Sequence, residues 1–416
     1  MTIMDVFMLI ALICIWFLLF VNVFLIFGGF AYYVETLKYV SPTLKEYPMV
    51  SVLVPAHNEG LVITNTVKAL LAFDYPEDCY EIIVINDNSS DNSAELLSDI
   101  CQKNPGRKLK IINTDSITGG KGKSNALNIG FQQCSGKYIA IYDADNTPAS
   151  DALRLLVSEI DTNPMMGAVI GKFRTRNKNV NLLTRFINIE TLAFQWMAQA
   201  GRWKFLKLCT IPGTNFVIRR EILEQIGGWD ANAVAEDTEI SFRIYRMGSY
   251  IKFLPQAVTW EQEPQTLEVW FKQRTRWVKG NIYVLIKNLP VLFDRSAGQV
   301  RFDIAYFFST YFILLVALVL SDNIFLLNIN GWAHTTLMGF SFTIWIMAIV
   351  LFITGTFITV STEKGEMNFG NAIIIFVMYF TYSKMWMFVA LYGIYQYIED
   401  RALNREVKWY KTQRFE

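Results

Sequence analysis

Two aspartates in the stretch YDAD, Asp143 and Asp145, stand two residues apart after the apolar run YIAIY. In extended chain, residues i and i+2 point the same way, so both carboxylates can face one cation. Such a pair suits Mg2+ or Mn2+, which takes one or two carboxylates and completes its shell with water and phosphate oxygens. The same spacing also occurs in ordinary turns, so the pair needs company before it means catalysis. Glu236 and Asp237 open the stretch EDTEISFRIYRMG. Carboxylates there can simply answer a helix dipole, or one can act as general base toward an attacking hydroxyl. Just upstream, IPGTNFVIRR offers a Gly213-Thr214 loop that could lie under an acceptor. A third cluster, QRTRWVKG, packs Arg274, Arg276, Trp277 and Lys279 behind Gln273. Cations with a large aromatic could hold a membrane surface, clamp a phosphate or support a sugar ring.

Other positions could join them. Asp87, in VINDNSSD, ends an apolar run, whereas Asp91 fits a helix cap. Lys123 opens an expected helix, where free N–H groups attract anions and a lysine adds a point charge. His57, Asn58 and Glu59 follow the first apolar run, and His57 fits a loop-shaping role better than acid–base chemistry. With only His57 and His334 in the chain, a histidine-rich metal site is excluded. The five cysteines are scattered, with no zinc-ligand spacing, and fit reduced residues rather than a disulfide framework. There is no GxGxxG after the first strand and no GxxxxGK[ST], so dinucleotide and P-loop chemistry fit poorly. A net charge of +1 gives no case for nucleic acid as partner.

These residues need a frame. MVSVLVP (49–55), YEIIVIND (80–87), KLKIIN (108–113) and KYIAIYDAD (137–145) read as strands. Helical stretches at 61–71, 92–103 and 122–134 separate them. Strands alternating with helices predict a parallel sheet covered on both faces, with ligand beyond the carboxyl ends of the strands. Glu59, Asp87, Asp143 and Asp145 fall at those ends. The stretch 182–203 has apolar residues at helical spacing and reads mainly as packing, with Trp196 and Trp203 as candidate borders of an acceptor channel.

The chain is 52% hydrophobic and only 18% charged, which places part of it in lipid. The uncharged run Val6–Val34 exceeds a bilayer's thickness and fits a retained anchor rather than a signal peptide. Further apolar spans lie near 304–327, 337–360 and 371–397, with Asp322 and His334 at span ends. Residues 281–294 resemble an interfacial amphipathic segment. MTIMD carries no Lys or Arg, whereas Lys38 and Lys45 follow the first span, which puts the polar region in the cytosol. Three simple later crossings would leave the tail outside, yet its Arg401, Arg405, Lys408, Lys411 and Arg414 favour the inside. Lys384, within the last span, fits either a broken or re-entrant hairpin or a lysine facing a bundle interior. The crossing number stays open at this level.

PAHNE, Asp87, DAD, ED and QRTRW together, in this order and approximate spacing, resemble processive family-2 glycosyltransferases, the group of cellulose, chitin, hyaluronan and poly-N-acetylglucosamine synthases. The similarity runs from about residue 48 to 281. The size, the N-terminal anchor and KGKSNAL are most similar to the bacterial poly-N-acetylglucosamine type. The resemblance implies an α/β, cytosolic GT-A domain (the nucleotide-diphospho-sugar transferase fold) with a mostly parallel sheet, plus an α-helical transmembrane bundle. It divides the chain into an anchor (1–36), the catalytic domain (48–280), an interfacial segment (281–300), a C-terminal transmembrane region (301–398) and a basic tail (399–416).

By residue, the resemblance implies that Glu59 and Asp87 hold the uridine and Lys123 the diphosphate. Asp143 and Asp145 would meet the nucleotide and its Mg2+ or Mn2+, with Asp145 as metal ligand. Asp237 would be the base. Gly213, Thr214, Glu236, Gln273, Arg276 and Trp277 would lie at the acceptor and diphosphate, while Arg274 and Lys279 stay near lipid headgroups. Two departures stand out: the usual TED reads Ala235-Glu236-Asp237, keeping the base, and DDGS reads Asn86-Asp87-Asn88-Ser89, losing its first carboxylate.

The implied enzyme is an inverting, multi-pass cell-membrane transferase that polymerises sugar from a UDP-sugar, with UDP-GlcNAc first in line. It would extend and secrete a β-linked exopolysaccharide of the biofilm kind. Its partners are the donor, the growing polysaccharide, the bilayer and, as a candidate, a small membrane accessory subunit. Any cyclic di-GMP control would come from a partner, since no PilZ-like domain is recognisable. Two rivals are non-processive transfer of one sugar to a membrane lipid, and a non-enzymatic channel or receptor that senses nucleotide sugar.

Overall fold

The computed structural model describes residues 3–332, 338–403 and 411–415. His334, Arg405 and Lys408 lie outside the described residues, as does the side chain of Asp322. After helix α1 (Ile3–Thr36) the chain alternates through β1 (Val50–Ala56), α2 (Ile63–Leu71), β2 (Tyr80–Asn86), α3 (Ser93–Lys103), β3 (Leu109–Asn113), α4 (Lys123–Phe131) and β4 (Tyr138–Ile141). The four strands are mutually parallel, with β1 between β2 and β4. Val52–Val54, Ile82–Ile85 and Ile139–Ile141 are buried. Near-continuous apolar runs are what a parallel sheet sealed on both faces requires.

The second half adds β5 (Thr147–Pro148), α5 (Ala152–Thr162), β6 (Met166–Thr175), α6 (Leu182–Ala193), α7 (Ala200–Leu206), β7 (Phe216–Arg219), α8 (Arg220–Gln225), α9 (Glu236–Arg246) and β8 (Tyr250–Glu261). All eight strands form one sheet, ordered β3-β2-β1-β4-β7-β6-β8-β5. β7 runs antiparallel to β4 and β6, and β8 runs parallel to β6. The order reverses at β1, and the crevice beyond β1, β2 and β4 is where such sheets bind ligands.

Helix α10 (Leu267–Asn288) starts at Thr266, whose hydroxyl accepts from the Val269 N–H at 3.4 Å. It runs unbroken through QRTRWVKG, so the segment expected to begin at 281 starts inside this helix. Beyond it come α11 (Val300–Phe308), α12 (Leu314–Ile329), α13 (Met338–Ser361), α14 (Phe369–Phe380) and α15 (Tyr382–Ala402). By length and composition, Ile3–Thr36 and Val300–Ala317 can cross a membrane, and the α14–α15 pair, bent by 41°, makes a third if counted as one span.

The α14–α15 pair follows the α/β domain along its length. Near its start Arg185 donates to Asn371 at 2.9 Å, at its break the Tyr382 hydroxyl donates to Glu190 at 2.7 Å, and near its end Asp400 pairs with Lys279. The tail then reaches the domain itself, with Arg414 on Glu59 and Asp145. The described end of the tail thus packs on the α/β domain. The α13–α14 loop is clamped too: Glu363 pairs with Lys172 and Arg174, and Glu366 with Arg174 and Lys178. At the other face α1 packs backbone to backbone. A Cβ on Gly29 would fall 1.8 Å from the Trp196 carbonyl, and one on Gly201 would fall 2.4 Å from that of Leu25. Small residues permit such an approach between helices.

Candidate active site

The loops after β1 and β2 turn through left-handed Asn58 and Asn88 (φ 54° and 51°), a conformation Asn tolerates better than most residues. His57 Nδ1 lies 2.6 Å from the Asp87 carbonyl, which gives it the loop-shaping role. Asp91 accepts from the N–H groups of Ser93 and Gly60 at the start of α3, as a cap does. Asp87 is buried, and its Oδ1 accepts from the Thr114 hydroxyl at 2.8 Å and the Gly120 N–H at 3.0 Å. It thus holds the glycine loop that leads into α4. The fit is close: a Cβ on Gly119 would sit 2.3 Å from Asp87 Oδ1.

Lys123, at the first turn of α4, is the hub. Its ammonium contacts Asp143 Oδ1 at 2.6 Å and Glu236 Oε1 at 3.3 Å, and donates to the Gly213 carbonyl at 2.8 Å. Burial alone would lower its pKa, but Asp143 and Glu236 outweigh that and raise it, keeping the ammonium charged. Gly213 adopts φ 86°, and a Cβ there would lie 3.0 Å from Asp237 Oδ2. The Thr214 hydroxyl accepts from the Asp143 N–H and donates to Asn146, both at 3.0 Å. The strand end and the expected acceptor loop are therefore tied together.

Asp237 stands at the start of α9, its Oδ1 accepting from the Thr238 N–H at 2.7 Å. Burial, then the neighbouring Glu236, push its carboxyl up to about 7. That is where a general base works best near neutrality. Arg276 faces the same group of acids, and burial lowers its pKa against the pull of Glu236, Asp237 and Asp143. Its Nε is buried with no hydrogen-bond partner among the described residues, an unsatisfied donor beside these acids.

Gln273 is buried. Its Oε1 accepts from Arg274 at 2.6 Å and its Nε2 donates to the Thr412 hydroxyl at 3.4 Å. Arg274 departs from expectation. Instead of meeting headgroups it is 1% exposed, pairs with Glu190 at 2.8 Å, and sits over the Trp277 ring. Lys279 likewise pairs with Asp400. Trp277 remains 38% exposed, with Arg274 over its ring. Trp196 and Trp203 are buried, and Trp196 donates to Glu363 at 3.2 Å, so both belong to packing.

Several residues near the site were not assigned to it from the sequence. Glu261 ends β8 and Glu263 follows two residues on, the same spacing as DAD, and burial raises both, Glu263 to about 7. Glu190 carries no local signal within its helix. Arg414 comes from the tail and bonds Asp145 Oδ2 at 2.7 Å. Among the described residues no three acidic, His or Cys groups converge on one point. A divalent cation here would therefore be held by Asp145, beside Asp143, and completed by phosphate oxygens. That donor set fits Mg2+ or Mn2+, and the cations already drawn to both carboxylates, Lys123 and Arg414, show their demand for positive charge.

An α/β domain whose strand-end carboxylates, basic hub and half-buried base share one crevice defines a GT-A-like transferase domain. Residues 48–280 match the family described as Glycosyltransferase like family 2, and the chain belongs to it. It is thus an enzyme, a glycosyltransferase. It is 47% identical over 409 residues to the probable glycosyltransferase YdaM of Bacillus subtilis, covering 98% of this chain and 97% of that one. It is 30% identical over 321 residues to a poly-beta-1,6-N-acetyl-D-glucosamine synthase of Staphylococcus epidermidis, covering 76% of each. In fold it resembles a mannosyltransferase from Pyrobaculum calidifontis in complex with GDP-Man and Mn2+. That likeness has a TM-score of 0.61 at 20% identity, over 94% of this chain and all of that one.

Proposed function

We propose that the protein is an inverting, membrane-embedded family-2 glycosyltransferase that polymerises sugar from a UDP-sugar, with UDP-GlcNAc as donor, into a β-linked exopolysaccharide. One observation carries this reading: Lys123 gathers Asp143, Glu236 and the Gly213 carbonyl at one point beside Asp237, with Arg276 facing the same acids. Donor, base and acceptor floor then occupy one crevice. Glu59 and Asp87 take the uridine end. Lys123 and Arg276 neutralise charge that develops on the leaving diphosphate. Asp145 would hold Mg2+ or Mn2+ together with the diphosphate, a Lewis acid for the departing UDP. The metal-bound mannosyltransferase of similar fold and the staphylococcal synthase relative support the metal and the sugar class.

Asp237 accepts the proton of the acceptor hydroxyl as that oxygen attacks the anomeric carbon from the face opposite UDP. Inversion of an α-linked donor gives a β linkage. Gly213, Thr214 and Glu236 shape the acceptor's near side, and Trp277, backed by Gln273, offers an apolar floor to a sugar ring.

The catalytic domain faces the cytosol. α1, α11–α12 and α13 cross the cell membrane, while α14–α15 lies along the domain and returns the tail to it. The layout is then an anchor at 1–36, a catalytic domain at 48–280, α10 bridging into the interfacial segment at 281–300, a membrane region to 398 and a basic tail. The bundle provides the polymer's way out, and it leaves lipid-facing surface for a small accessory subunit.

The test is to incubate membranes with several UDP-sugars and Mg2+ or Mn2+ and size the product. A ladder of long polymer from UDP-GlcNAc is expected. A single lipid-linked sugar would replace polymerisation with one-step transfer.

A further inference from the structure

The tail does more than return to the domain; it fills the nucleotide end of the site. Lys411 donates to the Asn58 carbonyl and lies 3.7 Å from Glu59. Arg414 meets Glu59 Oε2 at 3.1 Å through Nε and Asp145 Oδ2 at 2.7 Å through Nη1, with only 14% of its side chain exposed. Phe415 is locked to Gln262 by two bonds: its N–H donates at 2.9 Å and its carbonyl accepts at 2.7 Å. Thr412 meets Gln273, so the segment spans from the loop after β1 to the end of β8.

The charges explain the seat. Glu59 and Asp145 are buried carboxylates, 4% exposed each, and buried charge is costly unless paired. Arg414 bridges both. A divalent cation held by Asp145 would have to share that carboxylate with the guanidinium, and a nucleotide at Glu59 would meet the same side chain there, so the two occupancies compete.

We propose that residues 411–415 are an intramolecular competitor of the donor, with Arg414 occupying the place of the nucleoside diphosphate and its cation until both displace it. This rests on the reading of Glu59 and Asp145 as donor-site residues. A tethered segment acts at an effective concentration in the millimolar range, enough to compete with a weakly held donor. If it fills the site nine-tenths of the time, roughly, apparent donor affinity falls about tenfold.

The experiment measures binding of UDP with Mn2+ by calorimetry on the full chain in detergent, alongside donor KM and kcat. In Lys411→Ala/Arg414→Ala, UDP–Mn2+ binding should tighten about tenfold and donor KM should fall in step, with kcat little changed. Arg414→Lys, which keeps the charge but loses the two-pronged geometry, should fall between. If binding weakens or stays the same in the double variant, the competitor is overturned. Should the double variant fold poorly, Gln262→Cys/Phe415→Cys joined by a short bis-maleimide supplies the converse, measured against the equally treated parent. The locked protein should lose UDP–Mn2+ binding, and retained binding overturns the proposal. Asp145→Asn separates the two readings. If it binds UDP–Mn2+ as well as the parent, the donor-site assignment is wrong. If it loses binding while the tail variants do not tighten, only the competitor fails.

Discussion

The guanidinium of Arg274 sits over the indole of Trp277, 3.9 Å from the ring centroid, one helical turn away on α10. Behind it stand Glu190 and Gln273, and Glu190 is held in turn by the Tyr382 hydroxyl at the break between α14 and α15. Arg274 is therefore the support of the proposed acceptor floor. Arg274→Ala should lower kcat by about 10- to 100-fold while UDP–Mn2+ affinity stays within about twofold, the split expected of a residue acting on the acceptor side. Arg274→Lys should not rescue it, because a lysine lacks the planar fork and stacks poorly. Near-normal turnover in either variant would remove this role.

Asp237→Asn keeps shape but removes the proton acceptor. Transfer should drop by about 10²- to 10⁴-fold with UDP binding largely intact. Normal turnover in this variant would sink the base assignment.

The acidity of Asp237 sets a pH dependence. Burial and Glu236 raise its pKa to about 7, so below that pH the carboxyl is protonated and cannot accept the acceptor's proton. The rate at limiting donor should climb with pH through about 7 and then level off. A profile flat between about pH 5.5 and about pH 8 would place the controlling group elsewhere.

Metal dependence should follow Asp145. Chelation with EDTA should stop transfer, and Asp145→Asn should raise the Mn2+ concentration needed for half-maximal UDP binding about tenfold or more, a loss typical of a changed metal site. Unchanged metal titration in the variant would move the ligand away from Asp145.

Gly119→Ala tests the glycine loop. Its new methyl would fall 2.0 Å from Thr114 Oγ1 and 2.3 Å from Asp87 Oδ1, so the loop must shift. A stability loss of about 1–3 kcal/mol is expected, read as a lower Tm, together with a higher donor KM. An unchanged Tm would mean that the loop yields freely.

How much of this was legible in the sequence depends on range. Asp143, Asp145, Glu236 and Asp237 were readable because strand ends and helix starts are local signals; the structure brings Asp143, Glu236 and Asp237 around Lys123 and sets Asp145 against Arg414. Glu261 and Glu263 carried the same two-residue spacing as DAD but lacked a neighbouring motif to promote them. Glu190 and Arg414 gave no local sign, since what matters about each is a partner more than 80 residues away. Arg274 was misjudged for a related reason. A basic residue beside an apolar region looks like a headgroup contact until the buried acid opposite it is known. The tail's packing on the domain was likewise invisible, because it depends on one distant contact, Arg414 on Asp145.

The clamp of Glu363 and Glu366 on Lys172, Arg174 and Lys178 has a mechanical consequence. It rivets the turn between α13 and α14 to β6 and the loop after it, in the same sheet as the strands that lead to Glu59 and Asp143; on the proposed layout, in which α13 crosses the membrane, tilt of that helix would reach the crevice as strain. Helices tilt when bilayer thickness departs from their apolar length. Turnover in reconstituted vesicles should therefore vary with acyl-chain length, and Glu363→Gln should flatten that dependence. An enzyme indifferent to bilayer thickness in both forms would show the rivet to be passive.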